Sequence, residues 1–123
     1  MIKLERAKIF HEETTEEGTL FSVTIIELKN ALMALLSEGE EGLGALAVSM
    51  PPQRLEISRQ PISSTLLGER HITIARIIAE RLAALTNKIA LVSVFIRTAS
   101  EAKAGRIFMK LLEEALKKRS GSL

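Results

Sequence analysis

Pro61-Ile62-Ser63-Ser64-Thr65-Leu66-Leu67-Gly68-Glu69 leads into an amphipathic segment ending Ile78-Ala79-Glu80-Arg81-Leu82-Ala83-Ala84-Leu85-Thr86-Asn87-Lys88, and Ile89-Ala90-Leu91-Val92-Ser93 follows at once. The three pieces read as loop, helix and strand. Over Ile72 to Thr86 the residues Ile74, Ile78, Leu82 and Leu85 recur at helical spacing, with Ala75, Ala79 and Ala83 on an adjoining stripe that allows close approach. Arg76 and Glu80 form an i,i+4 pair on the wet side, worth a few tenths of a kcal/mol, so packing must hold the helix. Asn87 stands where helices commonly stop in the left-handed region. Ile89 to Arg97 is then apolar on both faces, with Ile89, Leu91 and Phe95 against Ala90, Val92, Val94 and Ile96.

Working outward, residues 2–10 alternate in part and suggest a first strand. The polar run Glu12-Glu13-Thr14-Thr15-Glu16-Glu17-Gly18 suggests a solvated hairpin connection, with Gly18 at positive φ. Leu20 to Leu28 is a strand with Phe21, Val23 and Ile25 on one face and Leu20, Ser22, Thr24, Ile26 and Leu28 on the other. Residues 30–37 are ambiguous: Ala31-Leu32-Met33-Ala34-Leu35-Leu36 has high helix propensity, but so short an apolar run also suits a strand. Gly39-Glu40-Glu41-Gly42-Leu43-Gly44 makes a turn into a strand at Ala45–Met50, which Pro51-Pro52 ends. A short edge strand is expected around Leu55 and Ile57. Thr98-Ala99-Ser100-Glu101 has capping-box spacing. It opens a last helix that points Ala104, Ile107, Phe108, Leu111, Leu112, Ala115 and Leu116 inward and ends in Lys117-Lys118-Arg119, which complement its dipole. Residues 120–123 are expected to fray.

The expected architecture is one α+β domain over 1–123, a mainly antiparallel sheet of about six strands with two helices. If both helices share one face, the other face must meet something else, most simply the sheet of another copy. Phe21, Val23, Ile25, Leu91 and Phe95 are the candidate residues of that homodimer.

The 46% hydrophobic and 26% charged content is that of a folded protein. Apolar runs fall far short of the roughly 20 residues of a membrane span, and Met1-Ile2-Lys3-Leu4-Glu5-Arg6 is unlike a signal peptide, so a cytoplasmic location without membrane contact is expected. No cysteine is present, which removes disulfides, thiolate metal sites and cysteine catalysis. All 15 acidic residues are glutamates, and asparagine is confined to Asn30 and Asn87, a composition that fits a heat-adapted source.

Reactive chemistry finds no constellation. His11 and His71 are 60 positions apart, and no orienting acid accompanies His71 as a base for Ser63 or Ser64. The glycine-rich run at 39–44 carries two carboxylates and lacks the Lys-Ser/Thr ending, so it repels phosphate. Glu12, Glu13, Glu16 and Glu17 lack the spacing of a calcium loop. No catalytic residue, metal or cofactor is assigned. Leu66 and Leu67, paired large apolar residues before Gly68, either plug the end of the core or form a docking knob.

The loop Pro61–Glu69, the helix end Arg81-Leu82-Ala83 with Thr86-Asn87-Lys88, and the strand ending Val92-Ser93 resemble the proteasome assembly chaperone 4 family. Ala45-Leu46-Ala47-Val48-Ser49-Met50 is similar to that family's Asn-Leu-Ala-Val-Ala-Met strand, with Ala45 in place of the Asn. The matches cover residues 45–93; Glu69 replaces the loop's Asp, and Val94 stands where a Tyr often follows Val-Ser. The resemblance implies a third meander strand at 30–37 and a non-enzymatic chaperone, archaeal in style. It also implies a dimer with itself or a related chaperone, acting on proteasome α-subunits during ring assembly. The partner-binding candidates are Arg54, Arg59, Ser63, Leu66, Leu67, Gly68, Glu69 and Arg70. The tail Gly121-Ser122-Leu123 lacks the hydrophobic-Tyr-any residue ending of another group of proteasome chaperones, so binding is expected through the folded surface.

The alternative is a small dimeric basic protein that binds RNA or DNA, suggested by eight lysines, nine arginines and a pI of about 9.2. Four aromatic residues, all Phe, leave little for base stacking, and the interspersed glutamates dilute any positive field.

Overall fold

A computed structural model describes residues 4, 6–51 and 62–121. The order is β1 (Lys8–Glu16), β2 (Thr19–Glu27), β3 (Ala31–Glu38), β4 (Ala45–Met50), β5 (Ile62–Leu67), α1 (Ile72–Thr86), β6 (Ile89–Phe95) and α2 (Glu101–Gly121). The strands form one sheet in the order β1-β2-β3-β6-β4-β5. Every pairing is antiparallel except that of β6 with β3. The expected edge strand around Leu55 and Ile57 lies outside the described residues.

Local chemistry explains where elements differ from expectation. The first strand runs from Lys8 to Glu16, later than the 2–10 alternation suggests, because the glutamate-rich run is itself strand. Glu17 at φ 51 and Gly18 at φ 81 make the two-residue turn whose consecutive positive φ values match strand twist. Residues 31–38 are strand despite their helix propensity, since β2 and β6 pair with both edges and bury Leu32, Ala34 and Leu36. The Ser63-Ser64-Thr65 stretch, expected as part of a loop, is strand β5 hydrogen-bonded to β4. Ser100 rather than Thr98 caps α2, accepting from the Lys103 N–H at 3.2 Å. That helix continues through Ser120 to Gly121, where fraying was expected.

Both helices lie on one face of the sheet. Helix α2 covers β1 and β2, and α1 covers β4, β5 and β6. The contact line of α1 is Ala75, Ile78, Ala79, Leu82 and Ala83, all buried, so the alanines seat it close to the sheet. Leu85, expected in that stripe, points outward and is 61% exposed. On α2, Phe108 meets Phe21 edge to face with ring centroids 5.8 Å apart.

Charged anchors tie the ends down. Glu27, at the end of β2, accepts from Nε and Nη2 of Arg119 at 3.0 Å each and from Nζ of Lys88 at 2.7 Å. The Arg119 guanidinium holds the Glu27 carboxyl below its usual range, with Lys88 adding to it against the effect of burial. Glu38, at the end of β3, is buried and fills a nest of consecutive backbone donors. The N–H groups of Arg97, Thr98 and Ala99 donate to it at 2.9–3.1 Å, and the Thr98 hydroxyl at 2.7 Å. Burial alone would raise the Glu38 pKa. The Thr98 hydroxyl and the backbone donors of Ala99, Arg97 and Thr98 outweigh it and lower the value to about 2.

The sign of the pH effect follows. A carboxyl with a depressed folded pKa contributes stability above its ordinary 4.5, and that stability is lost as pH falls toward about 2. Glu38→Gln should cost on the order of 3 kcal/mol at neutral pH. It should also flatten the loss of stability below pH 4.5, as read by urea unfolding across an acid pH series.

Candidate docking surfaces

With both helices on one face, among the described residues no helix covers the other. That face carries Ile26 from β2, Met33 and Leu35 from β3, Leu91 from β6, Leu46 and Val48 from β4, and Leu67 from β5. All are partly or fully exposed, and they form one apolar field across five neighbouring strands. At strand spacing this field is about 24 Å wide and about 20 Å long. One end of the face is closed by residues 39–44, where the Gly44 N–H donates to Ser93 Oγ at 3.0 Å and the Gly42 N–H to Ser37 Oγ at 3.3 Å.

This geometry corrects three of the five dimer candidates. Phe21, Val23 and Ile25 are fully buried on the helix face, where Phe21 packs on Phe108, so they belong to the core. The uncovered face of β2 is the alternate set that contains Ile26. Leu91 lies on the uncovered side, as does Phe95, whose ring is half covered by the backbone at Gly42. Met33, Leu35, Leu46 and Val48 belong to the same surface and were missed. Their signal was present, because β3 is apolar at alternate positions on both sides.

The partner-binding candidates separate into two groups, and Arg54 and Arg59 lie outside the described residues. Ser63 is buried on the helix face, where its hydroxyl donates to Glu80 and accepts from Arg76 Nε at 3.0 Å. Arg76 and Glu80, expected as a solvated pair, thus meet through Ser63 and fasten β5 to α1. Ser63 is a structural residue. Leu66, Leu67, Gly68, Glu69 and Arg70 are exposed. The two leucines are 54% and 50% exposed, which sets aside their reading as a core plug. A register shift between Leu46 and Ala47 leaves Leu66 as the extra residue of a bulge. Gly68 has φ 90, and a Cβ there would stand 3.0 Å from Ala45 Cα, so the turn requires glycine. Beyond it, Leu43, Leu67, Phe95 and Ile96 line a shallow depression of about 450 Å³ edged by Glu69, Arg70 and His71.

The model of the family described as proteasome assembly chaperone 4 matches residues 20–96, more than half of the chain. The chain belongs to that family. Its fold is also similar to a chain in a crystal structure of a chaperone complex for yeast 20S proteasome assembly. The TM-score is 0.67 at 12% identity, covering 94% of this chain and 96% of that one. No curated protein matches this chain. Membership supports a role as a proteasome assembly chaperone, and the described residues include no group of three or more His or Glu side chains placed to hold a metal.

The two sides of the sheet should respond differently to truncation. Phe21→Ala should cost about 3–5 kcal/mol in urea unfolding, whereas Leu91→Ser should leave the circular dichroism of the folded chain unchanged. Unfolding of the Leu91 variant at room temperature would contradict the assignment of faces.

Proposed function

We propose that this protein assists assembly of the proteasome α-subunit ring by reversible binding, as a homodimer joined through the uncovered sheet face, and without catalysing a reaction. The observation that carries the proposal is the apolar field from Ile26 to Val48 on a face that no described helix covers, in a member of a proteasome assembly chaperone family. Two such fields brought together bury on the order of 1,000 Å², the least that a specific interface needs. A related chaperone in place of the second copy would bury the same surface.

The α-subunit docks on the adjoining end of the molecule, at Leu66, Leu67 and the depression beside Glu69 and Arg70. Two half-exposed leucines beyond a bulge offer apolar anchors, and the flanking charges steer encounter and select the partner. Moderate affinity suits the task, since a chaperone that never dissociates would block the finished particle. The nucleic-acid alternative loses ground on geometry. Of the basic cluster ending α2, Lys118 pairs with Glu12 and Arg119 with Glu27, and Lys103 on the same helix pairs with Glu17.

Mixing the protein with proteasome α-subunits, and separately with generic nucleic acid, across a salt series tests the proposal. Binding to α-subunits that survives salt is expected. Binding to nucleic acid alone, falling steeply with salt, would replace the proposal with the alternative. Leu66→Ser with Leu67→Ser should weaken α-subunit binding by about tenfold or more while the fold persists. Unfolding of that double variant would return the leucines to the core.

A further inference from the structure

The two ends of the uncovered sheet face are unlike. At one end residues 39–44 rise above the sheet as a rim. The Gly42 N–H donates to Ser37 Oγ at 3.3 Å, the Gly44 N–H to Ser93 Oγ at 3.0 Å, and the Thr24 hydroxyl to Glu41 Oε2 at 3.3 Å. Thr24, Ser37 and Ser93 all point to the uncovered side, and both serines are fully buried beneath the rim. A Cβ on Gly42 would stand 2.9 Å from the Phe95 ring, so the rim sits directly on the sheet. Glu40 and Glu41 are exposed on it.

At the opposite end the face is open among the described residues. Ile9 on β1 and Met50 on β4 belong to it and are 68% and 48% exposed, and Leu28, just past β2, is 40% exposed. Arg6 and Lys29, both exposed, edge the hollow beside Leu28.

We propose that the second copy docks with its strands reversed, so that the rim of each chain caps the open end of the other. The inference rests on the homodimer reading and fixes its geometry. Sheets packed face to face stand about 10 Å apart, which leaves room for one layer of side chains from each and none for two stacked connections. If the strands ran the same way, a two-fold axis along them would set rim against rim at one end and hold the apolar fields apart. It would also face Glu40 and Glu41 with their own copies, a like-charge juxtaposition that opposes association.

With the strands reversed, the two-fold axis crosses them and each strand faces its own copy. Glu40 and Glu41 of one chain then come to the end where Arg6 and Lys29 of the other stand. The capped ends add buried area to a central field that alone reaches only the least a specific interface needs. Leu66 and Leu67 stand at the rim end of each chain, so the pair carries its two docking sites at opposite ends.

The chain contains no cysteine, so introduced thiols report the arrangement without background. Lys29→Cys and Glu40→Cys lie at the two ends of β3, roughly 25 Å apart within one chain and too far for a short bifunctional thiol reagent. In samples that sediment as dimers, the double variant should cross-link between chains, as should an equilibrated mixture of the two single variants. Neither single variant alone should. Glu40→Cys that cross-links to itself, or a dimer that no combination cross-links, overturns the reversed arrangement and leaves the homodimer standing. An unaltered protein that sediments at the chain mass refutes the homodimer and the arrangement with it.

Charge reversal gives an independent readout. Glu40→Lys with Glu41→Lys should raise the dissociation constant by about fivefold, and adding Arg6→Glu with Lys29→Glu should restore it. A second pair of substitutions that weakens the dimer further also overturns the reversed arrangement.

Discussion

Strand β6 enters the sheet last and lies between β3 and β4, parallel to one and antiparallel to the other. Without it the sheet is two separate pieces, β1-β2-β3 and β4-β5. Its faces then meet different surroundings. Ala90, Val92 and Val94 are sealed under the helices, while Leu91 lies on the side that no described helix reaches. Because α1 and α2 both take the sealed side, the core is one layer of helices on one layer of sheet. No described helix covers the apolar residues of the reverse side. Burying them elsewhere is worth about 25 cal/mol per Å², which is the driving force behind the reading of this protein as one half of an assembly.

The connections at one end of the sheet add specificity to that general force. Residues 39–44 pass over the end of β6 on the uncovered side, held by Ser37 and Ser93. Glu38 grips the backbone of 97–99 on the other. The bulge and turn at Leu66–Gly68 come to the same end, so the depression beside Leu67 lies where β4 begins and β5 and β6 end, and it adjoins the apolar field. In the proposed reading, one surface holds a second chaperone subunit while its neighbour stays available for a proteasome subunit.

Much of this was legible in the sequence, and the failures share a physical cause. Helices α1 and α2 announce themselves by local periodicity, and their buried faces need no distant information. Strand β1 does not, because a polar edge strand looks like a loop until Lys118 is seen to reach Glu12 across the fold. Strand β5 hides likewise, since Ser63-Ser64-Thr65 reads as part of a loop until β4 supplies its hydrogen bonds and Arg76 and Glu80 hold Ser63. The alternation in β2 shows two faces correctly, with Phe21, Val23 and Ile25 together. Which face the helices take is decided by Phe108, far along the chain, so the candidate interface fell on the wrong side of the right strand.

Sedimentation equilibrium of the unaltered protein at micromolar concentration tests the central claim most directly. A homodimer has twice the 13.5 kDa chain mass, and that species is expected. A single species at the chain mass across the whole concentration range would contradict the claim, because the apolar face would then remain in water.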